Sequence, residues 1–253
     1  MLIDTHAHLT DERYGGAREI IDNMTADGLE RIITVGYDME SSRECKRIAE
    51  SNAAIYFDAG VHPSDSQRLA ADPADELVAL CADPKCVAVG EIGLDYHYDD
   101  TDRETQRAYF EMQMRVAEMY GLPVVIHDRE AHGDCFDMVC RYPKVRGVFH
   151  SYSGSAEMAA DLIRRGWIVS FSGVVTFKNA ERVRAVVKSV PMDKLLIETD
   201  CPYLAPHPHR GECNHSGLLT YTAAAIGELH GIDADEVGRI TAENAAAFFG
   251  ITL

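Results

Sequence analysis

Eight short apolar segments alternate with longer segments of helical periodicity, and this alternation constrains the fold of the chain more than any other feature. Each apolar segment has about four to six residues, and several are hydrophobic throughout, which is typical of parallel strands buried on both faces. The predicted strands cover residues 2–5, 31–35, 54–59, 86–90, 123–126, 145–149, 167–171 and 194–198.

Segments of helical periodicity connect these strands. In the clearest segment, Phe110, Met114 and Ala117 recur at helical spacing before Gly121 and Pro123 end the pattern. The predicted helices include residues 102–120, 155–165, 179–190, 218–230, 233–240 and 243–249.

Eight parallel strands separated by helices predict an α/β fold, and eight is the number of strands that closes a (β/α)8 TIM barrel. An open, doubly wound sheet is the alternative. A dinucleotide-binding sheet of that kind has Gly-x-Gly-x-x-Gly after its first strand, and residues 2–5 are not followed by this motif. Since the sequence contains no internal repeat and no linker, we expect residues 1–253 to form one barrel domain.

The composition of the chain excludes several functional classes. With 46% hydrophobic and 26% charged residues, it is typical of a globular protein. It has neither a run of about 18 apolar residues nor a basic and apolar leader, so we expect a cytoplasmic protein that does not bind a membrane. No obligate protein partner is expected either. The 7 cysteines form no Cys-x-x-Cys pair, which predicts reduced thiols. A net charge of −17 opposes binding to a phosphate backbone through a basic patch, although bound cations can supply positive charge locally.

Ionisable side chains follow five of the predicted strands at the point where each strand ends. Residues two apart on an extended chain point the same way, so His6 and His8, after the first strand, can chelate one cation. Buried ionisable groups are costly unless they are paired or ligate a metal, and the carboxyl ends of barrel strands share one rim. The sequence therefore predicts a metal site formed by His6, His8, Glu91, His127, His150 and Asp200.

Six ligands exceed the three protein ligands of a typical mononuclear catalytic zinc site, which favours two ions. A carboxylate such as Glu91 can bridge two cations, and Asp200 can ligate a metal while accepting a proton from water. Mixed nitrogen and oxygen ligands suit metals such as zinc, manganese and nickel. The expected cofactor is a pair of divalent cations of zinc, magnesium, manganese or nickel.

Six blocks of sequence, in order along almost the whole chain, resemble the TatD-type metal-dependent deoxyribonucleases of the amidohydrolase superfamily. The blocks are IDTHAHL at residues 3–9, GVHP at 60–63, GEIGLDY at 90–96, PVVIH at 123–127, HSYSG at 150–154 and ETDCPYL at 198–204. The resemblance implies a (β/α)8 barrel with a two-metal site that hydrolyses phosphodiester bonds, as a 3′–5′ exonuclease on DNA and sometimes on RNA.

The resemblance also implies a role for each ligand. His6, His8, Glu91 and Asp200 are expected to hold one ion, and the second ion is expected to be held by Glu91, His127 and His150. Glu91 and Asp200 are thus the expected catalytic carboxylates.

Four further residues are candidates for contact with the substrate. His62 stands in the GVHP block, and the resemblance implies that it contacts the substrate phosphate or the attacking water. Arg129 and Arg210 lie close beyond strands 5 and 8, where a planar guanidinium can bind phosphate. Tyr96 can stack on a nucleotide base. Residues 210–216 depart from the family pattern, since two basic residues are missing there, and this weakens the expected affinity for a phosphate backbone.

The sequence leaves three functional hypotheses of different classes. A metal-dependent nuclease is the leading interpretation. A hydrolase of a small-molecule ester, lactone or amide on the same metal site is the alternative, which the acidic composition favours. A barrel without catalytic activity would be expected to have lost metal ligands, and all six are present here.

Overall fold

The computed structural model describes residues 1–68, 72–98 and 101–253. In this part of the chain the strands are β1 (Leu2–Ala7), β2 (Leu29–Val35), β3 (Ile55–Ala59), β4 (Cys86–Asp95), β5 (Val124–Arg129), β6 (Gly147–Phe149), β7 (Ile168–Phe171) and β8 (Leu195–Ile197). The α-helices are α1 (Arg18–Asn23), α2 (Met39–Ser51), α3 (Ala74–Cys81), α4 (Arg103–Tyr120), α5 (His132–Cys140), α6 (Ala156–Arg164), α7 (Glu181–Ser189), α8 (Leu219–His230) and α9 (Ala234–Phe249).

Each predicted strand overlaps an observed strand, and the largest differences from the prediction are in the fourth strand and the last helix. The prediction ended the fourth strand at Gly90, whereas β4 continues to Asp95, because its pairing with β5 continues through Gly93 opposite His127. The prediction also divided the last helix in two. The helix is continuous through Thr241, whose buried hydroxyl donates to the carbonyl of Val237 within α9.

The chain divides into two compact units. The first comprises Met1–Thr34 and Gly154–Leu253, and the second comprises Val35–Ser153. The expectation of one domain stays a prediction.

In the first unit, β1 pairs in parallel with β2, and β7 pairs in parallel with β8. A parallel bridge between Ala7 and Cys201 brings the chain after β8 beside the end of β1. Helix α9 covers the amino end of β1, where a side chain at Gly238 would lie 2.7 Å from the carbonyl oxygen of Met1. The carboxyl ends of β1 and β8 are thereby held together within this unit.

In the second unit, β3, β4, β5 and β6 pair in parallel in chain order. All ten residues of β4 are buried, so this strand lies at the centre of the unit. Helix α4 packs on β4. Asp102 caps its first turn by accepting the backbone N–H of Thr105 at 2.9 Å, and Gly121, with a φ of 65°, caps its last turn. In the described ranges, no helix is long and apolar enough to cross a membrane.

Candidate metal centres

The first unit brings together three of the predicted ligands. Ligand atoms of His6, His8 and Asp200 all lie within 4.8 Å of one another. His6 lies within β1 and His8 follows it directly, so the two rings lie on the same side of the extended chain, with centroids 5.0 Å apart. One carboxylate oxygen of Asp200 lies 3.4 Å from Nε2 of His8 and 3.8 Å from Nε2 of His6. We call these three residues the first cluster.

The backbone around Asp200 is held in an uncommon conformation. Its φ of 55° lies in the left-handed region, which aspartate tolerates better than most residues, and its N–H donates to the carbonyl of His6 at 2.9 Å. The buried side chain of Asn214 donates to the carbonyls of Thr199 at 2.9 Å and Tyr203 at 2.6 Å, on either side of Asp200. Asn214 therefore fixes the turn that carries Asp200.

Asp4 stabilises the same turn through hydrogen bonds to Thr199. Its carboxylate accepts the backbone N–H of Thr199 at 3.0 Å and the hydroxyl of Thr199 at 2.6 Å. Burial raises the pKa of Asp4 to about 6, although the hydrogen bonds from Thr199 act in the opposite direction. Asp4 thus holds the backbone of the turn directly before Asp200.

The second unit brings together the other three predicted ligands. One carboxylate oxygen of Glu91 lies 2.8 Å from Nδ1 of His127 and 2.8 Å from Nε2 of His150. These two imidazole nitrogens lie 3.4 Å apart. Nε2 of His62 lies 3.7 Å from the same oxygen of Glu91. We call Glu91, His127 and His150 the second cluster, with His62 beside it.

A residue that the ligand prediction did not include completes the second cluster. Oδ2 of Asp95, at the end of β4, lies 3.0 Å from Nε2 of His127. A histidine ligand commonly donates its other ring N–H to a carboxylate, which fixes the ring and strengthens it as a ligand. The only sequence signal for Asp95 is that it stands four residues after Glu91, on the same side of an extended strand.

Electrostatics in the second cluster favour ionised carboxylates. Burial alone would raise the pKa of Glu91. Three histidines outweigh burial and hold this pKa well below its ordinary value, through the charges of His150 and His62 and the hydrogen bond to His127. Burial alone would lower the pKa of His127, yet its hydrogen bonds to Asp95 and Glu91 raise it. The cluster thus stabilises positive charge beside Glu91, as a cation site requires.

The donor sets of both clusters fit divalent metal ions. The first cluster offers two imidazoles and a carboxylate, and the second offers two imidazoles and a carboxylate with His62 nearby. Imidazole and carboxylate ligands suit zinc, manganese, nickel or iron. Nδ1 of His127 and Nε2 of His150 both face one oxygen of Glu91. In metal-free protein such groups share a proton, and a metal ion can take the place of that proton.

The predicted substrate contacts have different surroundings. Arg129 is exposed at the end of β5, and its guanidinium lies 4.9 Å from the ring centroid of Tyr98. Arg210 packs its guanidinium 3.8 Å from the ring centroid of Phe177 and donates to the carbonyl of Ala205 at 3.0 Å.

Tyr96 is engaged within the protein. Its hydroxyl donates to Asp134 at 2.6 Å, and the guanidinium of Arg103 covers its ring at 4.0 Å from the centroid. Burial raises the pKa of the Cys201 thiol, beside Asp200, to about 12, so the thiolate form that a nucleophile needs is disfavoured at neutral pH.

Comparison with known proteins gives matches along nearly the whole chain. A family described as TatD related DNase matches residues 3–250. A Bacillus subtilis (strain 168) protein named uncharacterized metal-dependent hydrolase YabD is 39% identical, over 99% of this chain and 100% of its own. A Citrobacter rodentium (strain ICC168) protein named 3′-5′ ssDNA/RNA exonuclease TatD is 31% identical, over 93% of this chain and 92% of its own.

Solved structures agree with the predicted fold class. The crystal structure of YJJV, a TatD homologue from Escherichia coli K12, matches with a TM-score of 0.91 and 27% identity, over 99% of this chain and 98% of that one. A Deinococcus radiodurans PTE-like lactonase mutant matches with a TM-score of 0.66 and 14% identity, over 98% and 95% of the two chains, which shows the fold alone. The prediction of a (β/α)8 TIM barrel is confirmed.

Proposed function

Because the chain belongs to the TatD related DNase family of metal-dependent hydrolases, we propose that it is a 3′–5′ exonuclease that hydrolyses phosphodiester bonds of DNA, and of RNA to a lesser extent. The observation that carries this proposal is the presence of two clusters of imidazole and carboxylate ligands, one in each unit. The name of the Citrobacter rodentium relative supports the choice of single-stranded nucleic acid as substrate.

Two divalent cations of zinc, magnesium, manganese or nickel belong to this proposal. His6, His8 and Asp200 hold one ion, and Glu91, His127 and His150 hold the other. When bound, such cations activate water and stabilise the negative charge that develops on phosphoryl oxygens. They also supply the positive charge that a chain with a net charge of −17 otherwise lacks near its substrate.

The protein residues divide the remaining work. The side chain of Asp200 is 14% exposed, so its carboxylate can accept a proton from the attacking water. The hydrogen bond to Asp95 fixes the ring of His127 and with it the direction of Nδ1. His62 is half-buried beside Glu91 and binds a phosphate oxygen, and Arg129 binds the next phosphate.

Arg210 and Tyr96 stay in the proposal as weaker contacts with the substrate. The stacking of Arg210 on Phe177 leaves part of its planar guanidinium for a phosphate, and Tyr96 lies at the start of the segment that follows β4. A cytoplasmic location and the absence of an obligate protein partner are also part of the proposal.

The test uses a single-stranded DNA oligonucleotide labelled at its 5′ end. Protein treated with a chelator is inactive, and addition of Mg²⁺ or Mn²⁺ produces a ladder that shortens one nucleotide at a time from the 3′ end. Glu91→Ala abolishes this ladder, whereas Glu130→Ala, which removes an exposed carboxylate of the same unit, leaves it intact. A protein that binds metal but leaves every oligonucleotide uncut contradicts the proposal.

A hydrolase of a small-molecule ester, lactone or amide is the second candidate, favoured by the acidic net charge of −17. It requires the same two clusters. Cleavage of aryl esters or lactones by a metal-loaded protein that leaves oligonucleotides uncut would establish it.

A further inference from the structure

Two tyrosines follow β4, and they differ in how much of each ring is available. Tyr96 is half-buried, and its ring lies under the guanidinium of Arg103 while its hydroxyl donates to Asp134. Tyr98 is 49% exposed and borders a cavity of about 130 Å³. The ring of Tyr98 contacts the edge of the His97 ring, with centroids 4.8 Å apart, but about half of Tyr98 is exposed and therefore accessible to a ligand.

The position of Tyr98 is fixed relative to the second cluster. Oδ1 of Asp95 accepts the backbone N–H of His97 at 2.9 Å and that of Tyr98 at 3.3 Å, while Oδ2 of the same carboxylate lies 3.0 Å from Nε2 of His127. One carboxylate therefore orients a proposed metal ligand and the turn that carries Tyr98. Since Asp95 is opposite Arg129 in the pairing of β4 with β5, the two strands end together at this point.

Arg129 provides a positive charge beside the ring of Tyr98. Its guanidinium lies 4.9 Å from the ring centroid, and it is exposed, two residues after His127. Within residues 1–68, 72–98 and 101–253, no carboxylate lies within ion-pair distance of this guanidinium. In a chain with 41 acidic and 24 basic residues, such a cation is available for an anionic ligand.

We propose that Tyr98 and Arg129 form a binding site for one nucleotide of the substrate, in which the base stacks on the ring of Tyr98 and the adjacent phosphate contacts the guanidinium of Arg129. Bases stack on aromatic rings with little dependence on sequence, and a guanidinium both packs on an aromatic face and binds phosphate. The inference rests on the proposed exonuclease activity, and it assigns the stacking contact to Tyr98, whose ring is more accessible than that of Tyr96.

The test compares oligonucleotides in which a single abasic residue occupies each of the last few positions before the 3′ end. Wild-type protein discriminates against the abasic residue at one position, with a KM raised roughly 5- to 150-fold, the range expected for one stacked base. Tyr98→Ala raises KM on intact DNA by the same factor, abolishes the discrimination and leaves kcat unchanged. Tyr98→Phe retains the ring and behaves as wild type.

Controls separate stacking from other effects. Tyr120→Ala removes another exposed tyrosine of the same unit, at the end of α4, and leaves KM unchanged. Arg129→Gln removes the charge that contacts the phosphate and raises KM. Arg129→Lys retains the charge but not the planar stacking group, so it raises KM by less. Fluorescence anisotropy of metal-loaded protein with an oligonucleotide whose phosphorothioate linkages resist hydrolysis measures the same loss of affinity without cleavage.

The outcomes distinguish the two proposals. If wild-type protein degrades DNA but Tyr98→Ala keeps the wild-type KM and the wild-type discrimination against abasic residues, the nucleotide site is wrong and the exonuclease assignment stands. If metal-loaded wild-type protein degrades no oligonucleotide, the exonuclease assignment fails, and the nucleotide site fails with it.

Discussion

His127 is held on both sides of its ring. Nδ1 lies 2.8 Å from Glu91, and Nε2 lies 3.0 Å from Asp95. Because both ring nitrogens have fixed partners, the imidazole cannot rotate without breaking a buried contact. A fixed ring of this kind is what the proposed role of His127 as a metal ligand requires.

Replacement of Asp95 tests this arrangement. Asp95→Asn removes the charge that holds the N–H of His127, so we expect affinity for one metal ion to fall about 10- to 100-fold. Isothermal titration of metal into chelator-treated protein measures the change. Asp128→Asn is the matched control, because Asp128 is next to His127 in sequence but its carboxylate lies 2.7 Å from His132. Loss of metal affinity in Asp128→Asn but not in Asp95→Asn would contradict this view.

His132 adds a pH dependence to stability. Its hydrogen bond to Asp128 raises the pKa of His132 above the ordinary 6.5, so the stability that this bond contributes is complete below about pH 6.5 and is lost as pH rises through the folded-state value. We expect His132→Gln to lower the free energy of unfolding more at about pH 5.5 than at about pH 8.5. Urea unfolding at both pH values measures this difference, and an equal loss at both would contradict it.

At the scale of elements, the pairing of β4 with β5 places the second cluster. Gly93 has a φ of 141°, and a Cβ at this position would lie 2.0 Å from the carbonyl oxygen of His127. Only glycine permits the two backbones to approach so closely, and this approach sets the positions of Glu91 and His127 on neighbouring strands.

Gly93→Ala should therefore destabilise the protein by on the order of 3 kcal/mol, through backbone strain and overpacking. Gly121→Ala is the control. Gly121 has a φ of 65°, but no atom of the described residues lies within 4 Å of the point that a Cβ would occupy, so about 1 kcal/mol of strain is expected. Thermal unfolding of both variants measures the difference. Equal losses would show that close approach to His127 is unimportant.

Elements were predictable from sequence where hydrophobic pattern alone decides them. The eight strands follow from apolar runs, because strands buried on both faces are hydrophobic throughout. The extension of β4 beyond Gly90 was not predictable, since Gly90 and Gly93 are typical of chain breaks and only the pairing with β5 shows otherwise. Helices α1, α2, α3 and α5 were not predicted, and α1 is only six residues long with one buried residue.

The sequence predicted which side chains lie together in each cluster, but not the residues that support them. Each predicted ligand is a histidine or carboxylate at a strand end, a position that sequence reveals. Asp95 and Asn214 act through contacts with His127 and with the turn around Asp200, and such contacts exist only once distant segments are folded together. The choice between Tyr96 and Tyr98 depended on exposure, which sequence does not reveal.

At the scale of the whole molecule, the net charge of −17 predicts how substrate affinity responds to salt. A protein that binds single strands with only two cationic side chains on phosphates, here Arg129 and Arg210, has a shallow dependence, so we expect KM to rise less than roughly 10-fold between about 50 and 200 mM salt. Steady-state kinetics across this range measure the slope. A rise of about 1000-fold would indicate six or more phosphate contacts and contradict recognition through two metal ions and a few side chains.

The central claim is that the two clusters each hold a metal ion and that hydrolysis requires both. The most direct measurement titrates Mn²⁺ into chelator-treated protein while recording bound metal and the cleavage of a 5′-labelled single-stranded DNA. We predict two bound ions in wild-type protein, one in His8→Ala and one in His150→Ala, with cleavage only in the wild type. Two bound ions and full cleavage in either variant would contradict the claim.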